Sequence, residues 1–155
     1  MKINFKVCSI ICFIFSSFCI NINLSGQNFE KHIWQNRILL IKSSNEVNTQ
    51  REKQMTILMK SMAGLIERKI VLYEMIGTQY RLIDYQLQIQ DDTWEESKKK
   101  INGISTKNND FEVILIGLDG GVKLRETELL SIDELFGIID RMPMRRAELR
   151  IGRKE

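Results

Sequence analysis

Apolar residues along the chain fall into two rhythms, short unbroken runs and rows stepping by three and four, and their alternation predicts an α/β fold. Arg37 to Lys42 (RILLIK) is apolar between its basic ends, the pattern of a strand buried on both faces. Ser43, Ser44 and Asn45 follow and offer side chains that can cap a helix. From Glu46 to Arg68, Met55, Leu58, Met59, Met62, Leu65 and Ile66 recur at helical steps and define one apolar face, which Gly64 weakens slightly. Lys69 to Ile76 (KIVLYEMI) is rich in branched and aromatic residues and reads as a second strand. Strand, long helix and strand together imply a right-handed parallel crossover.

The stretch from Gly77 to Gln90 is ambiguous. Tyr85, Leu87 and Ile89 alternate with glutamines, which fits an edge strand or a loop. Thr93 to Glu96 (TWEE) has the form of a capping box and predicts a helix to about Ile101, with Trp94 and Ile101 facing the core. The polar run Gly103 to Asp110 reads as a linker loop. Phe111 to Leu118 (FEVILIGL) is the strongest strand, Asp119-Gly120-Gly121 supplies a tight turn, and Val122 to Glu126 is the hairpin partner. Ser131 to Glu134 (SIDE) is a second capping box, opening a helix with Ile132, Leu135, Phe136, Ile139 and Met142 on one face. Pro143, the only proline, is expected to end it. The resulting order, a parallel crossover, an antiparallel hairpin and a closing helix, is the minimal thioredoxin-like plan: a four-stranded mixed sheet flanked by helices.

The N-terminus reads as a secretory signal. Lys2 and Lys6 give a positive start, Val7 to Ile20 form an uncharged apolar stretch, and Ser25 and Gly26 are small residues near which cleavage would leave Gln27 first. The rival is an uncleaved anchor, but spanning hydrocarbon takes about 20 apolar residues, and this run is shorter and broken by serines. We therefore expect a signal at 1–26, a single domain at 27–155, and a periplasmic or secreted location without stable membrane insertion after cleavage. Removing the leader lowers Lys plus Arg from 23 to 21 against 20 acids, so the remainder is near neutral and has no general pull toward nucleic acid or membrane. All three cysteines, Cys8, Cys12 and Cys19, go with the leader. An exported domain of about 130 residues is long enough to fold by burial without cross-links.

Three blocks sharpen the fold expectation. Phe111 to Arg125 (FEVILIGLDGGVKLR), Leu135 to Arg146 (LFGIIDRMPMRR) and Trp34 to Arg37 (WQNR) resemble the domain of unknown function 4174 family over nearly the whole of the chain beyond the leader. That family is similar to a peroxiredoxin-like, thioredoxin-fold domain of secreted animal matrix proteins. The resemblance implies a fold and an exported setting, and carries over no activity.

In a redox domain of that type the nucleophilic thiol stands after the first strand, at the start of the long helix, where the helix dipole lowers its pKa. Here that place reads Ser43-Ser44-Asn45-Glu46, and Asn108-Asn109-Asp110 stands where a proline would precede the hairpin strand. Thiol oxidoreductase and cysteine peroxidase chemistry are thus excluded for residues 27–155. Ser43 and Ser44 lack an evident base, because the only histidine, His32, lies outside the expected elements and reads as a surface residue. Asp91-Asp92 and Glu95-Glu96 have no converging ligand set, so no metal or other cofactor is called for. Asp119-Gly120-Gly121 lacks the lysine and hydroxyl of a phosphate loop and leads into a strand, so it reads as a turn in which Asp119 bonds its own backbone.

One charge anomaly is left. Arg141, Arg145, Arg146, Arg150, Arg153 and Lys154 stand against Glu148 and Glu155 near the C-terminus. Such a run reads either as a solvated helix end or as a patch for an acidic partner, a phosphorylated glycan or a lipid head group. Lys123 and Arg125, two apart on the hairpin strand, extend that patch if the last helix lies beside the hairpin. The candidate binding residues are therefore Lys123, Arg125, Arg145 and Arg146. The expected role is a non-catalytic exported domain binding a protein or anionic ligand and not nucleic acid. The alternatives are a thiol-independent hydrolase or transferase built on Asp, Glu and Arg, or a structural or adhesive envelope component.

Overall fold

The computed structural model describes residues 29–84, 89–90, 93–97 and 110–152. Residues 1–28, Tyr85 to Gln88, Asp91-Asp92, the run from Lys98 to Asn109, and Arg153, Lys154 and Glu155 of the basic C-terminal run lie outside them. Strand β1 (Arg37–Ser43) is the centre of a mixed sheet. It runs parallel to β2 (Ile70–Ile76) on one side and antiparallel to β6 (Phe111–Ile116) on the other. All three are buried almost throughout, as their unbroken apolar runs require of strands covered on both faces.

The parallel connection is carried by α1 (Thr49–Met59) and α2 (Met62–Glu67), where a single helix over 46–68 was expected. The tightened turn at Lys60-Ser61, in which the Ser61 amide donates to the Leu58 carbonyl at 2.9 Å, rotates the second piece. Leu58 and Leu65 are fully buried as a result, whereas Met59, Met62 and Ile66 of the expected apolar face are exposed. The cap of α1 is also not a serine: Asn48 accepts from the Arg51 amide at 2.9 Å.

The expectation of four strands is corrected. β1, β2, β6 and the hairpin partner β7 (Val122–Glu126) are neighbours as foreseen, but the sheet continues past β2. Gly77, at φ 58°, turns the chain back so that β3 (Gln79–Asp84) pairs antiparallel with β2. Two short strands, β4 (Ile89–Gln90) and β5 (Glu95–Glu96), then pair with opposite ends of β3. The helix expected to start at Thr93 is replaced over the described residues by β5. There the Tyr80 hydroxyl donates to Glu95 at 2.5 Å, and the Arg81 guanidinium sits 4.8 Å from the centre of the Trp94 ring. Cross-strand bonding to β3 outweighs the capping box. The strands lie in the order β4-β3-β2-β1-β6-β7, with β5 beside β3 off that line.

After the hairpin, α3 (Ile132–Asp140) starts at Ser131, whose Oγ accepts from the Glu134 amide at 3.2 Å. This helix stops at Asp140, just ahead of Pro143 as expected, and the proline has a second role. It opens another, α4 (Pro143–Ile151), at the first position, where a missing N–H leaves nothing unpaired.

Each face of the sheet has its own core. Leu39, Ile41, Leu72, Val113 and Leu115 meet Leu58, Leu65, Leu135 and Ile139 from the helices. Gly64 is required here, because a Cβ would stand 2.5 Å from the Phe136 ring that packs over α2. On the other face Ile38, Leu40, Tyr73, Met75, Tyr80 and Ile114 gather around Phe29, which leads into a 3-10 turn at Glu30–His32. Phe29 and Tyr73 meet edge to face with ring centres 4.7 Å apart.

Candidate functional site

The carboxyl end of β1 meets the start of α1 and residue Asp110, just ahead of β6. Ser43 donates its hydroxyl to the Asn45 carbonyl at 2.9 Å, and Ser44 donates to Asp110 Oδ1 at 3.1 Å. The Asn48 amide donates to the Asp110 carbonyl at 2.8 Å. Both hydroxyls therefore tie the loop together. His32, the one imidazole, is not on the surface as expected: it is buried, with Nε2 2.9 Å from the Tyr73 hydroxyl and Nδ1 3.2 Å from the Asn36 amide. The segment carrying it folds under the second face of the sheet, where it packs with Tyr73.

The four basic candidates do not form one patch. Arg125 stands opposite Ile114 and so projects on the face away from the helices, whereas Lys123 stands at a bulge where the register with Leu115 and Ile116 shifts and the alternation is interrupted. Lys123 donates to Asp119 Oδ2 at 2.6 Å, and Asp119 also accepts from the Gly121 amide, which confirms its turn role. The Lys123 bond, then the Gly121 bond, hold the Asp119 carboxyl below the usual carboxylate range. Arg125 donates to Glu112 Oε1 at 2.9 Å.

Arg145 and Arg146 lie on α4, at the helix side. Arg145 is buried and its guanidinium is committed: it bonds Glu67 through both carboxylate and carbonyl, reaches Asp140 at 3.3 Å, and pairs with Glu148 at 3.5 Å. Burial lowers its proton affinity, but Glu67 and Asp140 more than compensate and the group stays charged. Arg146 is exposed. Around Arg145 the corner is dense in charge. Arg68 chelates Asp140 through Nε at 3.1 Å and Nη2 at 2.6 Å while its guanidinium lies 4.0 Å above the Phe136 ring. Arg37, from the start of β1, donates to the Arg68 carbonyl at 2.8 Å and to Glu148 at 3.4 Å. The block Asp140 to Arg146 (DRMPMRR) thus supplies both an acid and a base of one network that fastens α3 and α4 to the corner between α2 and β2.

Three buried charges on neighbouring strands were missed by sequence reasoning. Lys42 and Glu112 stand directly opposite each other on β1 and β6 and bond at 3.3 Å. Glu74 of β2, on the helix face, takes Arg51 from α1 and Arg81 from β3, the latter at 2.7 Å. Each lies inside or at the end of an apolar run, RILLIK, FEVILI and IVLYEMI, and that interruption was the available signal. Among the described residues no group of three or more His, Cys, Asp or Glu could hold a metal ion. No helix among them is long and apolar enough to cross a membrane.

These features define an α/β domain in which one central strand carries a crossover on one side and a hairpin on the other. Residues 28–148 match the family described as Domain of unknown function (DUF4174), and the chain belongs to that family. No curated protein and no solved structure matches it.

Proposed function

We propose that the chain is an exported, thiol-free domain of thioredoxin-like type that recognises a protein or anionic ligand and does not catalyse a reaction. The observation that carries this reading is the end of β1. The strand order β2-β1-β6-β7 supports a thioredoxin-like arrangement, and the position its redox relatives give to a thiol holds Ser43 and Ser44, both spent on loop hydrogen bonds. A secretory leader ending near Gly26 places this domain in the periplasm or outside the cell. Binding then falls to basic side chains that reach solvent in two separate places, Lys123 and Arg125 on β7 and Arg146 on α4, while Arg145 holds the helix that presents Arg146.

The test is retention of the purified protein on an immobilised polyanion such as phosphocellulose. The variant K123E/R125E/R146E should elute at clearly lower salt than the parent, with an unchanged circular dichroism spectrum. Equal elution would remove the anion-binding reading. The mass of the secreted product should match a chain that begins at Gln27.

A further inference from the structure

We propose that the corner at the start of β1 is a site for a phosphate group, in which the Glu148 carboxylate holds the ion's place until it is displaced. The site lies at the opposite end of β1 from Ser43. It uses none of Lys123, Arg125 and Arg146, to which polyanion retention is assigned, so the two stand independently.

Three cations from three parts of the chain converge on Glu148. Arg37 Nη1, from the start of β1, and Arg145 Nη1, from α4, reach its Oε2 at 3.4 and 3.5 Å, and Lys69 Nζ reaches its Oε1 at 3.8 Å. Hydrogen bonds from such cations to a carboxylate ordinarily measure about 2.7–2.9 Å, so Glu148 satisfies none of the three well. The shortfall is greatest at Arg37. Its side chain is 1% exposed, yet Nε and Nη2 have no hydrogen-bond partner among the described residues. Buried N–H groups in that condition are uncommon and call for an acceptor. Lys69 is held beside them in a disfavoured backbone conformation, at φ 51°, while its carbonyl accepts from the Arg37 amide at 2.7 Å.

The charges around this point do not cancel. Arg37, Arg68, Lys69 and Arg145 share Glu67, Asp140 and Glu148, four cations against three acids. Geometry then selects the shape of the ligand. A carboxylate has two oxygens in one plane, and Glu148 with both engaged still leaves Nη2 of Arg37, in the same fork as Nη1, without an acceptor. A tetrahedral ion offers further oxygens to cations that arrive from different elements, and a guanidinium matches two of them at once. Lys69 is half exposed and Glu148 only partly buried, so the carboxylate can swing toward water and admit the ion beside Lys69.

The test titrates inorganic phosphate into isotopically labelled protein and follows the side-chain nitrogen resonances of Arg37 and Arg145, with acetate as the planar comparison. Phosphate should shift both sets and bind about tenfold more tightly than acetate. Glu148→Gln removes the competing carboxylate at nearly constant volume and should tighten phosphate binding about tenfold, whereas Lys69→Gln should weaken it about threefold. Circular dichroism verifies that each variant is folded. Unmoved Arg37 and Arg145 resonances in both the parent and Glu148→Gln, equal affinity for acetate, or no gain in Glu148→Gln overturns the proposal. Glycerol phosphate distinguishes the source: binding as tight as that of phosphate identifies an esterified phosphate, weaker binding the free ion, and the site stands in either case. K123E/R125E/R146E should bind phosphate as the parent does. If that variant loses both polyanion retention and these shifts, the ion sits on the exposed cations, and this site fails while the broader reading survives.

Discussion

Two groups of buried charge hold this domain together, and they do it under different terms. At the β1–β6 boundary Lys42 and Glu112 are both withdrawn from water, with side chains 3% and 1% exposed. At the corner below the helices Arg145 is withdrawn, but its partners Glu67, Asp140 and Glu148 keep 58%, 35% and 21% of their side-chain surface. Removing Glu112 takes a bonded acid away from a lysine held in the interior, whereas acids left behind in the second group can hydrate. The comparison teaches that a residue's burial does not set the cost of losing it; the exposure of what it leaves behind does.

The sharpest break in that comparison is Glu112→Gln, which withdraws the carboxylate that Lys42 and Arg125 both use. It should cost about 3 kcal/mol or more in urea denaturation. The paired change K42M/E112L removes both charges at similar volume and should recover most of that loss, because replacing a buried ion pair with apolar groups is often neutral. If the pair behaves like the single change, burial of charge is not the governing cost there.

A smaller effect is expected at the corner. Arg145→Ala should cost about 1–3 kcal/mol, from lost hydrogen bonds and the space left between α4 and α2. A larger loss than for Glu112→Gln would invert the argument about exposed partners.

The smallest effect is in acid. Burial raises the Asp140 carboxyl, but the hydrogen bonds from Arg68 and Arg145 outweigh it, and the net shift is downward. A carboxyl depressed in the folded state contributes stability above its unfolded value near 4 and loses it as pH falls through the lower folded value. Asp140→Asn should therefore lower the midpoint at pH 7 while flattening the decline of stability below about pH 4. An identical acid slope would show that the Arg68 chelate contributes nothing to linkage.

Much of the central fold was legible in the sequence, because β1, β2 and β6 are buried on both faces and leave unbroken apolar runs. The hairpin was legible for a different reason: Gly120, at φ 75°, and the Asp119 side chain fix its turn locally. What escaped was decided at a distance. QYRLID gives β3 a half-polar alternation, since Arg81 must reach Glu74 while Tyr80 packs on the second face. Thr93 to Glu96 carries the local form of a helix start, but its partners are on β3. The same holds for the candidate site. The basic residues could be named from composition, yet nothing local revealed that Arg145 would bond Glu67, 78 residues earlier in the chain, or that Arg125 would project on the face of the sheet away from α4.

β1 is flanked by a strand that begins at Ile70 and another that begins at Phe111. A ribosome adding roughly 5–20 residues per second emits β1 several seconds before β6 exists. During that interval an apolar segment has one ladder without its complement, and the domain cannot close. Nascent chains therefore stay pliable until β6 is made, a delay that leaves time for capture by a chaperone.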